Sequence, residues 1–345
     1  MKAIYALPVD PDVEPAPAEV VNQLDIKSMP FGIHRVFVEV IGDGLATGVR
    51  VPVLVARGAQ PGPVFGITSA IHGNELNGIP VLHELFANLD PTLLCGTLVG
   101  VIALNVPGLH RRQREFSDGA DLNRIMPGKP AGNASEVYAN RIFERVIHDF
   151  EYLLDLHTAS FGRVNSIYVR ADMCDPRTAA MAYLQHPEII VHNPSTVQTM
   201  RAAAMKRGIA AITVEIGDPQ MWQTRLTRSA LAGVRAVLEW AGVLPDPAPI
   251  ASQEPVLCHE SGWMYTDRGG LLKVRPELCD LVEAGQTVAT VRNAFGDLIR
   301  EYVAPTSGIV VGRSVNPVGE TGARILHLGA IDDGSHGLLR REDLL

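Results

Sequence analysis

The feature that most constrains the fold is the alternation of strand-like and helix-like segments between residues 64 and 240. Short apolar runs alternate with segments in which apolar residues recur every three or four positions, as on one face of a helix. This pattern is typical of a mixed, mostly parallel α/β sheet that helices cover on both faces. It predicts strands at 64–69, 98–104, 152–156, 166–170, 188–192 and 210–216. It predicts helices at 79–89, 135–150 (with Ser135 as the N-cap), 178–184, 199–207 and 225–240.

The two ends of the chain follow other patterns. Residues 1 to about 30 are irregular, and two strands are predicted at 34–41 and 51–56. Pro245-Asp246-Pro247-Ala248-Pro249 has the composition of a linker. Beyond it, β-like runs at 271–274, 287–291, 298–303 and 308–311 alternate with Gly, Pro, Asp and Asn. We therefore expect an α/β domain over residues 1–245, a smaller all-β C-terminal domain over 250–330, and a tail over 331–345.

Composition excludes several classes of protein. A chain of 345 residues with 46% hydrophobic and 20% charged residues fits a globular enzyme of two domains. A net charge of -8 argues against a nucleic-acid partner, and no segment is long and apolar enough to span a membrane. Residues 1–17 lack the basic and apolar regions of a secretory signal, and the four cysteines form no C-x-x-C pair. We expect a cytoplasmic protein without a cysteine-based zinc site. A homo-oligomer is compatible with the sequence.

Metal-binding side chains follow two of the predicted strands. His72 and Glu75 are three residues apart after the strand at 64–69, and His157 follows the strand at 152–156. Alone, the first pair also fits a helix start with an early acidic residue. In an open α/β sheet, however, ligands gather at the carboxyl ends of the strands. A close pair with a distant third ligand is the usual arrangement of a catalytic zinc, with one position left for water. The sequence therefore predicts one Zn²⁺ per chain, held by His72, Glu75 and His157.

Glu215 is the candidate general base. It lies in the apolar strand predicted at 210–216, where an acidic residue is costly to bury without a partner or a purpose. At that strand end it would reach a water beside the metal. The alternative is a structural pair between Glu215 and an arginine.

The long loop at 105–132 carries the candidate substrate contacts. In Asp121-Leu122-Asn123-Arg124, the arginine can bind a carboxylate in bidentate fashion and the asparagine can add a hydrogen bond. Asp121 can accept the second ring N–H of His72. Of Arg111, Arg112 and Arg114 upstream, one could stabilise an oxyanion, although a basic loop is also compatible with simple solvation.

Four motifs together resemble the succinylglutamate desuccinylase/aspartoacylase family of the zinc carboxypeptidase-like superfamily. They are His72-x-x-Glu75, Asp121-Leu122-Asn123-Arg124, Asp155-Leu156-His157-Thr158 and Val214-Glu215-x-Gly217, and the resemblance extends from about residue 35 to residue 330. It implies that His72, Glu75 and His157 bind zinc, that Glu215 activates water, and that Asn123 and Arg124 bind the substrate carboxylate. It also implies that Arg114 stabilises the oxyanion. Arg112 is the second candidate for this role, and it is also expected to contact the substrate. Tyr265 and Tyr302 are the candidates for a tyrosine that the C-terminal domain contributes in that family.

The resemblance implies a zinc-dependent deacylase that cleaves the amide bond of an N-acyl amino acid or a similar small N-acyl amine. A metallocarboxypeptidase that removes a C-terminal residue from a peptide, and a non-catalytic ligand-binding relative, are the alternatives. Ala304-Pro305-Thr306-Ser307-Gly308-Ile309-Val310 also resembles a turn of biotinyl and lipoyl carrier domains. Lys273 lacks the flanking methionine of such carriers, so a carrier role is disfavoured.

Overall fold

A long mixed sheet organises the computed structural model, which describes residues 17–194, 197–245 and 254–344. The helices are α1 (Gly78–Ala87), α2 (Val106–Arg111), α3 (Ala134–Ile142), α4 (Pro176–Leu184), α5 (Met200–Lys206) and α6 (Thr224–Trp240). The first ten strands are β1 (Glu19–Val21), β2 (Gly32–Gly42), β3 (Gly48–Arg57), β4 (Gln60–Ser69), β5 (Cys95–Val101), β6 (Tyr152–His157), β7 (Arg163–Asn165), β8 (Ile167–Ala171), β9 (Ile189–His192) and β10 (Ala210–Ile216). The others are β11 (Val256–Tyr265), β12 (Gly270–Val274), β13 (Leu281–Val282), β14 (Thr287–Arg292), β15 (Leu298–Val303), β16 (Gly308–Ser314), β17 (Val318–Gly319) and β18 (Arg324–Ile331).

The centre of this sheet is parallel. Strands β5, β4, β6 and β10 are neighbours with parallel pairing, while β3 and β8 join the two sides of this group in antiparallel fashion. The apolar residues of α1, α4 and α6 pack on one face of the sheet, and those of α3 and α5 pack on the other. The predicted α/β sheet with helices on both faces is confirmed.

The C-terminal region extends the same sheet and adds a second one. Strand β11 pairs in parallel with β9, and β18, β16 and β13 follow it in order. A separate antiparallel sheet has the order β15-β14-β12-β17, and the region has an apolar core of its own that includes Leu272, Val288 and Ile325. The smaller β region is thus present. Of the predicted linker at 245–249, residues 246–249 lie outside the described residues, and the division at residue 245 stays a prediction.

Several local predictions are corrected. The loop at 105–132 contains α2 and a 3-10 helix at Leu122–Arg124. The N-cap of α3 is Asn133 rather than Ser135, because Asn133 Oδ1 accepts the Glu136 N–H at 2.9 Å while the Glu136 side chain accepts the Asn133 N–H at 3.1 Å. The helix then continues as a π-helix over Phe143–Ile147.

The end of the chain and Lys273 also have defined positions. Leu339 N–H donates to Met173 O at 2.9 Å, so residues after β18 pack back onto the α/β part of the molecule. Lys273 lies within β12 opposite Thr290 of β14, not at the tip of a hairpin, which removes the geometric basis for a carrier role. No helix in the described part of the chain is long and apolar enough to cross a membrane.

Candidate active site

Two neighbouring parallel strands bring the three predicted metal ligands together. Strand β4 ends at Ser69, and His72 and Glu75 lie in the turn that connects it to α1. His157 is the last residue of β6, whose Leu156 is paired in register with Ser69. The turn passes close to the start of α2, since a Cβ on Gly73 would lie 2.0 Å from the backbone of Gly108. Only glycine permits this approach, which aims His72 at the strand ends.

The donor atoms of these residues converge on one buried point. Glu75 Oε1 lies 2.9 Å from His72 Nδ1, and Glu75 Oε2 lies 2.9 Å from His157 Nδ1. One ligand atom from each of the three residues falls within 4.8 Å of the others, and all three residues are buried. His72 Nδ1 has no hydrogen-bond partner of acceptable geometry among the described residues. A buried nitrogen without a partner is costly, and a metal ion at this point would satisfy it.

Both histidines present the same nitrogen to this point and the other nitrogen to a carboxylate. His72 Nε2 lies 3.1 Å from Asp121 Oδ1, and His157 Nε2 lies 2.9 Å from Asp155 Oδ2. Asp155 is itself oriented by Thr68, whose hydroxyl donates to it at 2.7 Å. With Nε2–H donating to the aspartates, both Nδ1 atoms are free as ligands. This role of Asp155 was not predicted, although its position two residues before His157 on the same face of a strand was a usable signal.

The electrostatics of the cluster favour a bound cation. Burial raises the pKa of Glu75, but His72 and His157 outweigh burial and hold it well below its ordinary value. Burial lowers the pKa of His157, but Asp155 and Glu75 hold it well above its usual range. Positive charge is therefore stabilised here, and a cation of two charges fits a donor set of two imidazoles and one carboxylate.

Arg114 is tied to the same cluster. Its Nη1 donates to Glu75 Oε1 at 3.0 Å and to Ser160 Oγ at 2.7 Å, while Nε and Nη2 donate to Asp121 Oδ2 at 3.1 and 2.9 Å. A guanidinium has five N–H donors, of which these bonds use four. Arg114 therefore orients Glu75 and Asp121, and one N–H remains for a ligand in the cavity.

Glu215 faces the cluster from β10. Its Oε2 accepts from Asn165 Nδ2 at 3.1 Å, its Oε1 accepts from the Tyr168 hydroxyl at 3.3 Å, and Arg170 Nε lies 3.9 Å from Oε1. Burial raises the pKa of Glu215, and the Glu75 charge adds to this effect, while His157 and Arg170 oppose it. The structure thus contains the arginine contact of the alternative interpretation, but that contact is long and leaves the carboxylate on the cavity wall.

The other predicted substrate contacts differ in position. Asn123 and Arg124 both line the cavity. Asn123 Oδ1 accepts the Met200 N–H at 2.8 Å, so this oxygen is engaged within the protein. The Nδ2 atom of Asn123 is then the atom that could donate to a ligand. Arg112 is not among the cavity-lining residues: it ends α2 with a left-handed backbone (φ 55°), and it is exposed on the outside of the turn. The structure does not bring Arg112 to the site.

The cavity above these residues is large and cationic. It encloses about 660 Å³. Most of its arginines were not predicted, because they lie on separate strands and on α5, far apart in the chain. The arginines that line it are Arg114, Arg124, Arg163, Arg170, Arg201 and Arg324. Arg201 is buried, and burial followed by the nearby charge of Arg170 lowers its pKa to about 10.

The C-terminal region contributes part of the cavity wall. Trp263 and Tyr265 of β11 and Arg324 of β18 line it. Of the two candidate tyrosines, only Tyr265 is among these residues. The Tyr302 hydroxyl instead donates to Asp267 at 2.8 Å.

The sequence also matches a known family over the part that carries this site. Residues 61–241 match the Succinylglutamate desuccinylase/Aspartoacylase catalytic domain, which is more than half of the chain. The chain belongs to this family. The N-alpha-acetyl-L-2,4-diaminobutyric acid deacetylase of Halomonas elongata is 25% identical over 270 residues, covering 74% of this chain and 77% of that protein. The family expected from the motifs is therefore confirmed.

Solved structures share the fold. The succinylglutamate desuccinylase/aspartoacylase of Rhodobacter sphaeroides superposes with a TM-score of 0.80 at 21% identity, covering 90% of this chain and 98% of that one. The product-bound ectoine utilization protein EutE (DoeB) of Ruegeria pomeroyi gives a TM-score of 0.79 at 23% identity, covering 88% of this chain and 98% of that one. At 88–90% of this chain, the likeness in fold extends beyond the residues that the family model matches.

Proposed function

We propose that the protein is a zinc-dependent deacylase that hydrolyses the amide bond of an N-acyl amino acid or a similar small N-acyl amine. The observation that carries this proposal is the convergence of His72 Nδ1, His157 Nδ1 and the Glu75 carboxylate beside Glu215 in a cationic cavity. Family membership supports it, because the matched family comprises desuccinylases and aspartoacylases.

His72, Glu75 and His157 would hold the zinc ion. Two neutral imidazoles and one carboxylate are a donor set of catalytic zinc sites. Zinc bound there would acidify a water molecule and polarise the acyl carbonyl. Asp121 and Asp155 keep the two imidazoles in the tautomer that leaves Nδ1 free.

Glu215 moves the proton. As a carboxylate it takes a proton from the attacking water, and as the acid it returns that proton to the leaving amine. Burial raises its pKa, which brings it closer to neutral pH and suits a group that must work in both directions. Asn165 and Tyr168 donate to its two oxygens and fix the direction of the carboxylate.

Arginine and asparagine side chains bind and orient the substrate. Asn123 and Arg124 line the cavity and would bind the carboxylate of the amino acid portion. The N–H of Arg114 that is not used by Glu75, Ser160 and Asp121 can donate to the oxygen that gains negative charge as water attacks.

Product identification tests this function. Zinc-loaded protein is incubated with N-acetyl, N-succinyl and N-formyl amino acids and diamines, including the N-alpha-acetyl-L-2,4-diaminobutyric acid of the relative, and with short peptides. Mass spectrometry should detect a free acid and a free amine from at least one acylated compound. Shortening of peptides from the C-terminus, with every acylated compound intact, would contradict the proposal and favour a carboxypeptidase.

A further inference from the structure

A second group of metal-binding side chains lies outside the active-site cavity. His259 is on β11, Asp332 directly follows β18, and His336 lies four residues further along the chain. One ligand atom from each of these residues falls within 4.8 Å of the others, and none of the three lines the cavity that contains Glu215. We call the three residues the tail cluster, because two of them belong to the segment after the last strand.

Strand pairing sets the positions of two members of the tail cluster. Strands β11 and β18 are antiparallel neighbours. The Asp332 N–H donates to Leu257 O at 2.8 Å, and Leu257 lies two residues before His259 on β11. The backbone hydrogen bonds of the sheet therefore hold Asp332 close to His259.

One donor atom of the tail cluster is buried and unpaired. His259 Nδ1 is shielded from solvent and has no hydrogen-bond partner among the described residues. The Asp332 side chain is fully buried, and its Oδ1 lies 2.8 Å from His336 Nδ1. An unpaired buried nitrogen is costly, and a metal ion between these atoms would satisfy it. Two imidazoles and one carboxylate are also the donors of the catalytic cluster.

The two imidazoles of the tail cluster are stacked. The centroids of His259 and His336 are 3.8 Å apart, and the ring planes differ by 8°. Two protonated rings would repel each other at this distance, which favours a neutral form of at least one ring, and the neutral form binds metal. Parallel rings direct their lone pairs side by side, so one ring must tilt before both bind one ion. The His336 side chain is 39% exposed and has room to tilt.

Negative charge surrounds the stack. Glu260 Oε1 lies 3.8 Å from His259 Nε2, and Asp333 Oδ1 lies 3.7 Å from His336 Nδ1. With the buried aspartate of the tail cluster, three carboxylates are near the two rings. Arg340 pairs with the other oxygen of that aspartate and offsets one of these charges. The remaining negative charge favours a bound cation.

A neighbouring group of possible ligands is less suited to a metal. Asp172, Cys174 and His192 also bring one ligand atom each within 4.8 Å of the others. The Met173 N–H, however, donates to His192 Nδ1 at 3.0 Å and occupies the lone pair of that nitrogen. In the neutral ring the proton is then on Nε2. The neighbouring group therefore lacks a free imidazole ligand.

An ion at the tail cluster would connect the end of the chain to the sheet. Leu338 is buried in the core that includes residues of α4 and α6, and the Leu339 N–H donates to Met173 O at 2.9 Å. Between β18 and Leu338, the chain contacts β11 through the backbone bond of Asp332 and through the stacked ring of His336. An ion shared with His259 would hold this segment against β11.

We propose that His259, Asp332 and His336 bind a further divalent metal ion, and that this ion fastens residues 332–344 to β11. Imidazole and carboxylate donors together suit zinc and related transition metals better than Mg²⁺ or Ca²⁺. Because one ring is partly exposed and must tilt, the ion exchanges with solution, whereas the catalytic cluster is buried. Dialysis therefore removes this ion, and the zinc content of dialysed protein reports the catalytic cluster alone. The inference does not depend on the reaction at Glu215.

Titration of zinc-loaded and then dialysed protein with Zn²⁺ tests the site. In calorimetry, the wild type should bind one further ion per chain with a Kd of about 1–100 µM. His259→Gln/His336→Gln should lose this binding, and His157→Ala should keep it with the same Kd. The matched control His83→Gln/His110→Gln removes two exposed histidines and should also keep it. Equal binding in His259→Gln/His336→Gln and the wild type, or loss of binding in His157→Ala, would overturn the inference.

Two further variants distinguish the tail cluster from the neighbouring group. His192→Gln and Cys174→Ser should leave the Kd of the further ion unchanged. Loss of binding in either variant would assign the ion to the neighbouring group and reject the tail cluster. Circular dichroism establishes that each variant is folded. His336→Ala, at the partly exposed position, provides the same test if the double variant does not fold.

Hydrogen exchange tests whether the ion fastens the end of the chain. At a Zn²⁺ concentration ten times the Kd, amides of residues 332–344, such as that of Leu339, should exchange about tenfold more slowly in the wild type. The same slowing is expected in His157→Ala, and none is expected in His259→Gln/His336→Gln. Binding of the further ion without slower exchange in this segment would reject the fastening role.

Discussion

Glu215 and His157 are paired in register on the neighbouring parallel strands β10 and β6. Residues in register on adjacent strands project their side chains to the same face of the sheet. The candidate base and a candidate metal ligand therefore face one cavity. The separation of their backbones is fixed by the hydrogen bonds of the sheet rather than by a loop.

Replacement of His157 should abolish metal binding and activity together. In His157→Ala, one of three ligands is lost and Glu75 loses a buried partner, so zinc content measured by mass spectrometry should fall well below one ion per chain. His83→Ala removes an exposed histidine of α1 and should keep both zinc and activity. A His157→Ala protein with full zinc content would contradict the ligand assignment.

Replacement of Glu215 should separate metal binding from turnover. In Glu215→Gln the shape of the side chain and the contact with Asn165 can persist, while the proton acceptor is lost. The rate constant kcat should fall by roughly two to four orders of magnitude with normal zinc content. Glu260→Gln, at an exposed position, is the matched control and should be fully active. Near-normal turnover in Glu215→Gln would exclude this residue as the base.

The pH dependence of activity should depend on Arg170. Burial raises the pKa of Glu215, while the positive charge of Arg170 favours its carboxylate form and lowers the pKa. Removal of this charge in Arg170→Gln should raise the pKa further, so the acidic limb of kcat/KM should move to higher pH. The dependence of kcat/KM on pH should be measured with the same substrate for the wild type, Arg170→Gln and the surface control Arg228→Gln. A limb that stays in place or moves to lower pH would show that Arg170 does not act on the base.

The N-terminus of α3 offers a test of local stability. Asn133→Ala removes the side chain that accepts the Glu136 N–H, and it should lower the free energy of unfolding by about 1 kcal/mol. Ser135→Ala removes a hydroxyl that donates to Asn133 Oδ1 at 2.9 Å but leaves the bond from the Glu136 N–H to Asn133 Oδ1 in place, so its effect should be smaller. Denaturant unfolding of both variants decides the order. A larger loss of stability in Ser135→Ala than in Asn133→Ala would contradict the assignment of Asn133 as the N-cap.

The central sheet and the proximity of His72, Glu75 and His157 could be predicted from the sequence because both depend on local pattern. Apolar runs mark the strands, and His72, His157 and Glu215 each lie at or just beyond the end of one. The cap of α3 was misplaced by two residues, since Ser135 and Asn133 are both good caps and only the geometry of Glu136 distinguishes them.

The walls of the cavity could not be predicted in the same way. Arg163 and Arg324 meet only because β16 pairs with both β7 and β18, and this pairing joins segments about 150 residues apart. Strand β11 also escaped prediction, because its sequence mixes polar, aromatic and apolar residues and its pairing with β18 contains register shifts. These features depend on tertiary pairing rather than on residue type.

The parallel pairing of β11 with β9 has a mechanical consequence. Trp263 and Tyr265 lie on the same strand that is hydrogen-bonded to β9 through Val256, Leu257 and Cys258. A rigid-body movement of the whole of β11 away from β9 would break those backbone hydrogen bonds, and each buried backbone group left unpaired is costly. The part of the cavity wall that carries Trp263 and Tyr265 is therefore anchored to the long sheet at the start of β11.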